Sequence, residues 1–206
     1  MKHILIYGDS NTWGSTAFAQ GTDDTERLPE EKRWSNILAQ RLGREWTVTA
    51  EGLCGRVAGD FATEDDNLSG QKHYDVALAS AAPVDLVIIA LGTNDLNRRY
   101  GRELGRIVDD ILWYEGHTHL VDGYNFSKMP AMLFVLPPNF VPTVGYFDGD
   151  AELRLKLNAK LKTKLANWLE ISDLDLSSDG VHIAESGHVM LANKVYEKLL
   201  EMMQSL

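Results

Sequence analysis

Two spacings of apolar residues alternate along this chain. Compact apolar runs at residues 4–7, 47–50, 85–91 and 132–136 have the length and composition of strands. Between them, apolar side chains recur at helical spacing: Trp34, Ile37, Leu38 and Leu42; Leu104, Ile107, Val108, Ile111 and Leu112; Leu153, Leu157, Leu161 and Leu165. A last helix carries Val189, Ala192, Val195, Tyr196, Leu199 and Met203 on one face, and residues 74–81 predict another. Gly43 suits the position just past the first of these helices, and Pro137-Pro138 stop the fourth strand. A short fifth strand is expected near residues 171–174. Residues 85–91 are almost continuously apolar, as in a parallel strand covered on both faces. Strand–helix alternation of this kind implies right-handed crossovers and an α/β fold, a parallel sheet with helices on both sides. Ligands bind such sheets at the carboxyl ends of the strands.

With 206 residues and no repeat, low-complexity tract or linker, the chain is expected to form one domain over residues 1–206. A net charge of −10 argues against nucleic acid or an anionic membrane as partner, because both are held by clustered Lys and Arg. The one cysteine, Cys54, cannot form an internal disulfide. The N-terminal apolar run is too short for a signal peptide, and no stretch reaches the length of a membrane span, so the sequence reads as cytoplasmic.

The first strand ends in Gly8-Asp9-Ser10-Asn11-Thr12-Trp13-Gly14. Three readings compete: an ordinary turn, a phosphate-holding loop, or a nucleophilic serine at a strand end. The phosphate reading fails because the segment has neither the repeated glycines nor the lysine of a phosphate loop, and Asp9 would repel the ligand. The nucleophile reading requires partners after other strands. Glu51-Gly52-Leu53-Cys54-Gly55-Arg56, Gly92-Thr93-Asn94-Asp95 and Asp179-Gly180-Val181-His182 stand in those places. Together they supply what acyl transfer needs. Ser10 attacks, His182 takes its proton, and Asp179 holds the imidazole tautomer across a turn relaxed by Gly180. The backbone N–H groups of Ser10 and Gly55 and the side-chain amide of Asn94 can meet the oxyanion.

"GDS" near the N-terminus, a glycine in the second segment, "GTND" and "DGVH" in this order resemble the SGNH, or GDSL, hydrolases, with Ser10, Gly55, Asn94 and His182 at the family's four initials. The fuller run is similar to the bacterial short-chain arylesterases and acyltransferases of that superfamily. The resemblance implies a flavodoxin-like three-layer fold with a five-stranded parallel sheet of order 2-1-3-4-5. It also implies a serine hydrolase without cofactor or metal that acts on small acyl esters, and it favours a homo-oligomer. The resemblance also implies that an alcohol can compete with water for the acyl group. The alternatives are a carbohydrate acetyl esterase, a lysophospholipase or thioesterase of the same superfamily, or a flavodoxin-like ligand-binding module without activity. The chain departs from the family pattern at Asn11, where many relatives have an aliphatic residue. Ala184 stands where a capping Ser or Thr is expected, so the last helix is expected to start later, with Ser186 as its cap.

Other residues invite simpler readings. Asp9 and Asp95 read as acceptors for backbone N–H groups, and Cys54 as a small buried residue. His117 and His119 lack the further ligands of a metal site. Arg56 is expected either to touch a polar substrate group or to form a salt bridge. The acidic stretch of residues 23–31 reads as a solvated loop. Trp13, Leu53 and Phe140 adjoin strand ends and are expected to line an apolar entrance to the acyl pocket.

Overall fold

The structure, a computed structural model, describes residues 1–19, 22, 24–61, 65–120, 129–141 and 147–204, without the side chains of 119, 120 and 204. Five parallel strands form one sheet: β1 (Lys2–Gly8), β2 (Trp46–Gly52), β3 (Leu86–Ala90), β4 (Ala131–Val135) and β5 (Trp168–Leu169), in the order β2-β1-β3-β4-β5. The helices are α1 (Ser10–Trp13), α2 (Trp34–Leu42), α3 (Gly70–Ala81), α4 (Leu104–Leu120), α5 (Ala151–Lys164) and α6 (Glu185–Gln204).

The pleat sorts the strand side chains into two cores. Leu5, Tyr7, Val87, Ile89, Met132 and Phe134 face α3, α4 and α5. Ile4, Ile6, Leu86, Ile88, Leu133 and Val135 face α2 and α6. The result is the three-layer flavodoxin-like sandwich. Among the described residues, no helix is long and apolar enough to cross a membrane.

Three elements differ from the sequence expectation. The fifth strand lies at Trp168–Leu169, where it pairs with Phe134 and Val135. Ile171 and Leu174 are instead buried loop residues, joined by a turn bond from Leu174 N to Ile171 O at 3.4 Å. Burial alone produced their apolar pattern. The last helix begins at Glu185, earlier than expected, and the Ser186 hydroxyl donates to the Asp175 carboxylate at 2.8 Å rather than capping the helix. α1 carries no apolar periodicity. It forms because Asp9 caps it, accepting the Asn11 N–H at 2.9 Å, and Gly14 ends it with φ 91°.

Register then fixes where α1 can lie. Gly8 pairs with Gly52 at the last rung between β1 and β2, and with Ala90 of β3. A Cβ on Gly52 would run into the backbone of Thr12 and Trp13, and one on Gly8 into the Thr12 side chain. Gly52→Ala should therefore cost about 1–3 kcal/mol by overpacking against main chain that cannot rotate away. The urea midpoint would report it, and any activity that depends on Ser10 should fall with it, because the displaced element carries that residue.

Candidate active site

β1 ends at Gly8, Asp9 turns the chain, and Ser10 opens α1. The Asp9 carbonyl accepts the N–H groups of Thr12 and Trp13 at 3.0 Å each, which closes the turn. Ser10 is thereby held just past the last ladder bond at the carboxyl edge of the sheet, almost fully buried.

His182 arrives from the loop between β5 and α6. Its Nε2 lies 3.1 Å from Ser10 Oγ, and its Nδ1 lies 2.6 Å from Asp179 Oδ2. Asp179 Oδ1 accepts the N–H groups of Val181 and His182 at 2.9 and 3.0 Å, and Oδ2 also accepts the Phe18 N–H at 3.1 Å. Gly180, with φ 69°, makes the tight turn between acid and base. Burial raises the Asp179 carboxyl, but the imidazole and the backbone donors outweigh it and bring it down to about 2. An ionised Asp179 accepts Nδ1–H, which leaves Nε2 to accept the Ser10 hydroxyl proton.

Gly55 lies just beyond β2 with φ 78°. Asn94 opens a short turn after β3, and its amide Nδ2 donates to Arg56 O at 2.9 Å. One hydrogen of that amide is used to orient it, and the second remains for a ligand. Ser10, Gly55, Asn94 and His182 line one cleft of about 230 Å³, with Phe18, Cys54 and Phe147 among its less polar walls and Thr25, Asn97 and Arg99 among its polar ones.

Trp13, Leu53 and Phe140 are not part of that lining. Trp13 lies under the Arg27 guanidinium, 4.9 Å from its ring. Phe140 is buried behind the cleft, its ring 5.2 Å from that of Phe147. Leu53 continues the β1–β2 ladder through its N–H to Gly8 O at 3.2 Å. Adjacency to a strand end does not determine which way a side chain turns. Phe18 and Phe147, the aromatic residues of the lining, lie on loops where no periodicity announces them.

Arg56 also differs from expectation. It is buried, donates Nη1 to the carbonyls of Gly8 and Glu51 at 2.9 and 2.5 Å, and stacks 4.1 Å over the Tyr7 ring, so it ties two strand ends together. Asp95 Oδ2 accepts the Ala58 N–H at 2.7 Å. Cys54 is half-buried, with Sγ 3.3 Å from Ser15 Oγ, and burial pushes its thiol pKa up. His117 stacks on Trp113 with ring centres 3.9 Å apart and meets Asp75 at 2.7 Å; the His119 side chain lies outside the described residues. Among the described residues, no three His, Cys, Asp or Glu side chains cluster as metal ligands would.

The chain is similar to known proteins over most of its length. The model of the GDSL-like lipase/acylhydrolase family matches residues 6–189. Est24, a carbohydrate acetylesterase from Sinorhizobium meliloti, superposes with a TM-score of 0.88 at 28% identity, covering 98% of this chain and 100% of its own. The native aryl esterase of M. smegmatis gives 0.85 at 28% identity, with both chains covered in full (100% each). A lipase/acylhydrolase from Enterococcus faecalis shares the fold at 15% identity with a TM-score of 0.67, covering 98% of this chain and 97% of its own. A search of curated protein sequences finds no match.

Asp9 provides an electrostatic test of the nucleophile turn. Burial raises its carboxyl from 3.8 to about 6, against the Asn11 N–H, the charges of His182 and Arg56, and the Thr93 hydroxyl. The folded state therefore holds the extra proton between those two values, and stability falls as pH rises through that window. Asp9→Asn keeps an acceptor for Asn11 and removes the ionisation. It should stabilise the protein relative to wild type by on the order of 1–3 kcal/mol at pH 8, with little effect at pH 4. Urea unfolding at the two pH values measures the difference; a pH-independent gap would mean that Asp9 titrates normally.

Proposed function

Because the chain belongs to the GDSL-like lipase/acylhydrolase family, and so is an ester hydrolase, we propose that it is a serine esterase that cleaves short-chain carboxylic esters through an acyl-enzyme on Ser10. The hydrogen-bonded series Ser10–His182–Asp179 carries this reading. As Ser10 Oγ bonds to the ester carbonyl carbon, its proton passes to His182 Nε2, and ionised Asp179 stabilises the imidazolium. The developing oxyanion meets the N–H groups of Ser10 and Gly55 and the free amide hydrogen of Asn94. Collapse breaks the bond to the alcohol, which leaves with the proton from His182. Water then repeats the sequence on the acyl-enzyme, giving up a proton to His182, and Ser10 is released with it.

The cleft volume of about 230 Å³, with Phe18 and Phe147 among its walls, supports small acyl groups. Acetyl and aryl esters fit this description; a lysophospholipase or long-chain thioesterase reading does not gain from it. The polar side of the cleft, at Thr25, Asn97 and Arg99, favours a second reading, an acetyl ester of a polyhydroxylated alcohol, and the likeness to a carbohydrate acetylesterase points the same way. Transfer to an alcohol in place of water is a further fate of the same intermediate.

Ser10→Ala should lower turnover by roughly 10⁴–10⁶, and a fluorophosphonate should label the wild type on the Ser10 peptide alone. An acyl adduct elsewhere, or near-normal turnover in the variant, overturns the assignment of Ser10; a wild type that neither labels nor turns over esters would point to a ligand-binding role.

Asn94→Ala should lower kcat by about 10²–10³ with a smaller change in KM. A rise in KM alone would make Asn94 a substrate-binding group. Acetyl, butyryl and octanoyl esters of one phenol, together with acetylated sugars, separate the substrate readings: equal rates for octanoyl and acetyl esters would sink the short-acyl one.

A further inference from the structure

The segment bearing Asp179 and His182 is a small closed unit. Ser177 N–H donates to His182 O at 2.7 Å, Ala184 N–H donates to Asp175 O at 2.9 Å, and Leu176 bridges Ile183 in antiparallel fashion. These bonds shape the segment but do not attach it to the nucleophile. Attachment at the acid end comes from Phe18 N–H to Asp179 and from Val141 N–H to Gly180 O at 2.8 Å. At the base end, two contacts reach across from α1. One is the bond between Ser10 Oγ and His182 Nε2. The other runs from Ile183 N–H to Asn11 Oδ1 at 2.8 Å, between buried groups 172 residues apart in the chain.

Only one of these two contacts can persist through a catalytic cycle. Once Ser10 Oγ is acylated it has no hydrogen to donate, and the imidazole must turn its Nε2 to an incoming water. The bond to Asn11 involves neither reacting atom. Asn11 is buried, and its backbone is tied at the N–H to the Asp9 carboxylate at 2.9 Å, which places its side chain beside Ile183. We infer that Asn11 is a positioning residue for deacylation: it holds His182 at the nucleophile's turn while the Ser10–His182 bond is absent. This rests on the acyl-enzyme reading above and adds a stage to it. During acylation the imidazole has both anchors, so loss of Asn11 is tolerated. During deacylation it has one fewer, and displacements of about 1 Å at a reacting group cost up to ~10²-fold in rate.

The test is pre-steady-state hydrolysis of p-nitrophenyl acetate by wild type, Asn11→Leu and Asn11→Asp. Asn11→Leu should lower the deacylation rate roughly 10–100-fold and the acylation rate by no more than about three-fold, so that the burst stays fast while kcat and KM fall together. Asn11→Asp keeps the acceptor oxygen and should recover most of the deacylation rate. Equal losses in both steps, or an Asp variant no better than Leu, would reduce Asn11 to packing and overturn the inference. A measurement on the wild type covers the case in which Asn11→Leu does not fold. The Ile183 amide should stay protected from hydrogen exchange after Ser10 is capped by a fluorophosphonate, and loss of protection on capping overturns the role. High turnover by Ser10→Ala would instead strike the parent reading, whatever Asn11 does.

Discussion

α1 crosses the ends of β1 and β2 so closely that the positions beneath it have room only for hydrogen in place of a side chain. Gly8 and Gly52 face each other on the final rung of the ladder, and the backbone of Thr12 and Trp13 lies over Gly52. The position of Ser10 is therefore set by main chain packed on main chain, which has no rotamers to relax into. Arg56 extends the same constraint sideways. It bonds to Gly8 O and Glu51 O, and its own carbonyl accepts the Asn94 amide. Ser10 and the Asn94 amide are thus referred to one pair of strand ends, although they come from different crossovers.

Three buried aspartates show how surroundings divide one side-chain type into different roles. Asp179 receives three backbone N–H bonds and the imidazole, and is held at about 2. Asp9 and Asp95 are more completely enclosed and less well supplied with donors, and burial lifts both to about 6. Asp95 has backbone donors at Ala58 and Gly59, and the Arg102 guanidinium stands off at 3.8 Å. Donor count and depth together separate a carboxylate that can stabilise an imidazolium from two that brace turns.

The strands could be anticipated because most of them are dense apolar runs, their order because of the family resemblance, and the candidate site residues because they are chemically specific and follow strand ends. The elements that escaped notice lack one of those signals. α1 is made by a cap and a terminating glycine rather than by periodicity. β5 has only two paired residues, while the neighbouring loop buries Ile171 and Leu174 and so imitates a strand. The cleft walls were misjudged for a different reason. Phe140 and Phe147 sit on the same connection, yet one packs inward and the other faces the cleft, a choice made by tertiary contacts that no local pattern encodes. Asn11 looked like a mere departure from family habit until its partner, Ile183, was in view.

The bond between Ser10 and His182 spans 172 residues of chain. In synthesis Ser10 therefore leaves the ribosome long before its partner does. Because chains emerge N-terminus first at about 5–20 residues per second, the growing polypeptide carries an unpaired, unactivated serine for on the order of ten seconds or more. Throughout that interval it cannot attack esters in its surroundings. A fragment cut anywhere between the two keeps Ser10 without His182, and so lacks the contact on which the proposed mechanism depends.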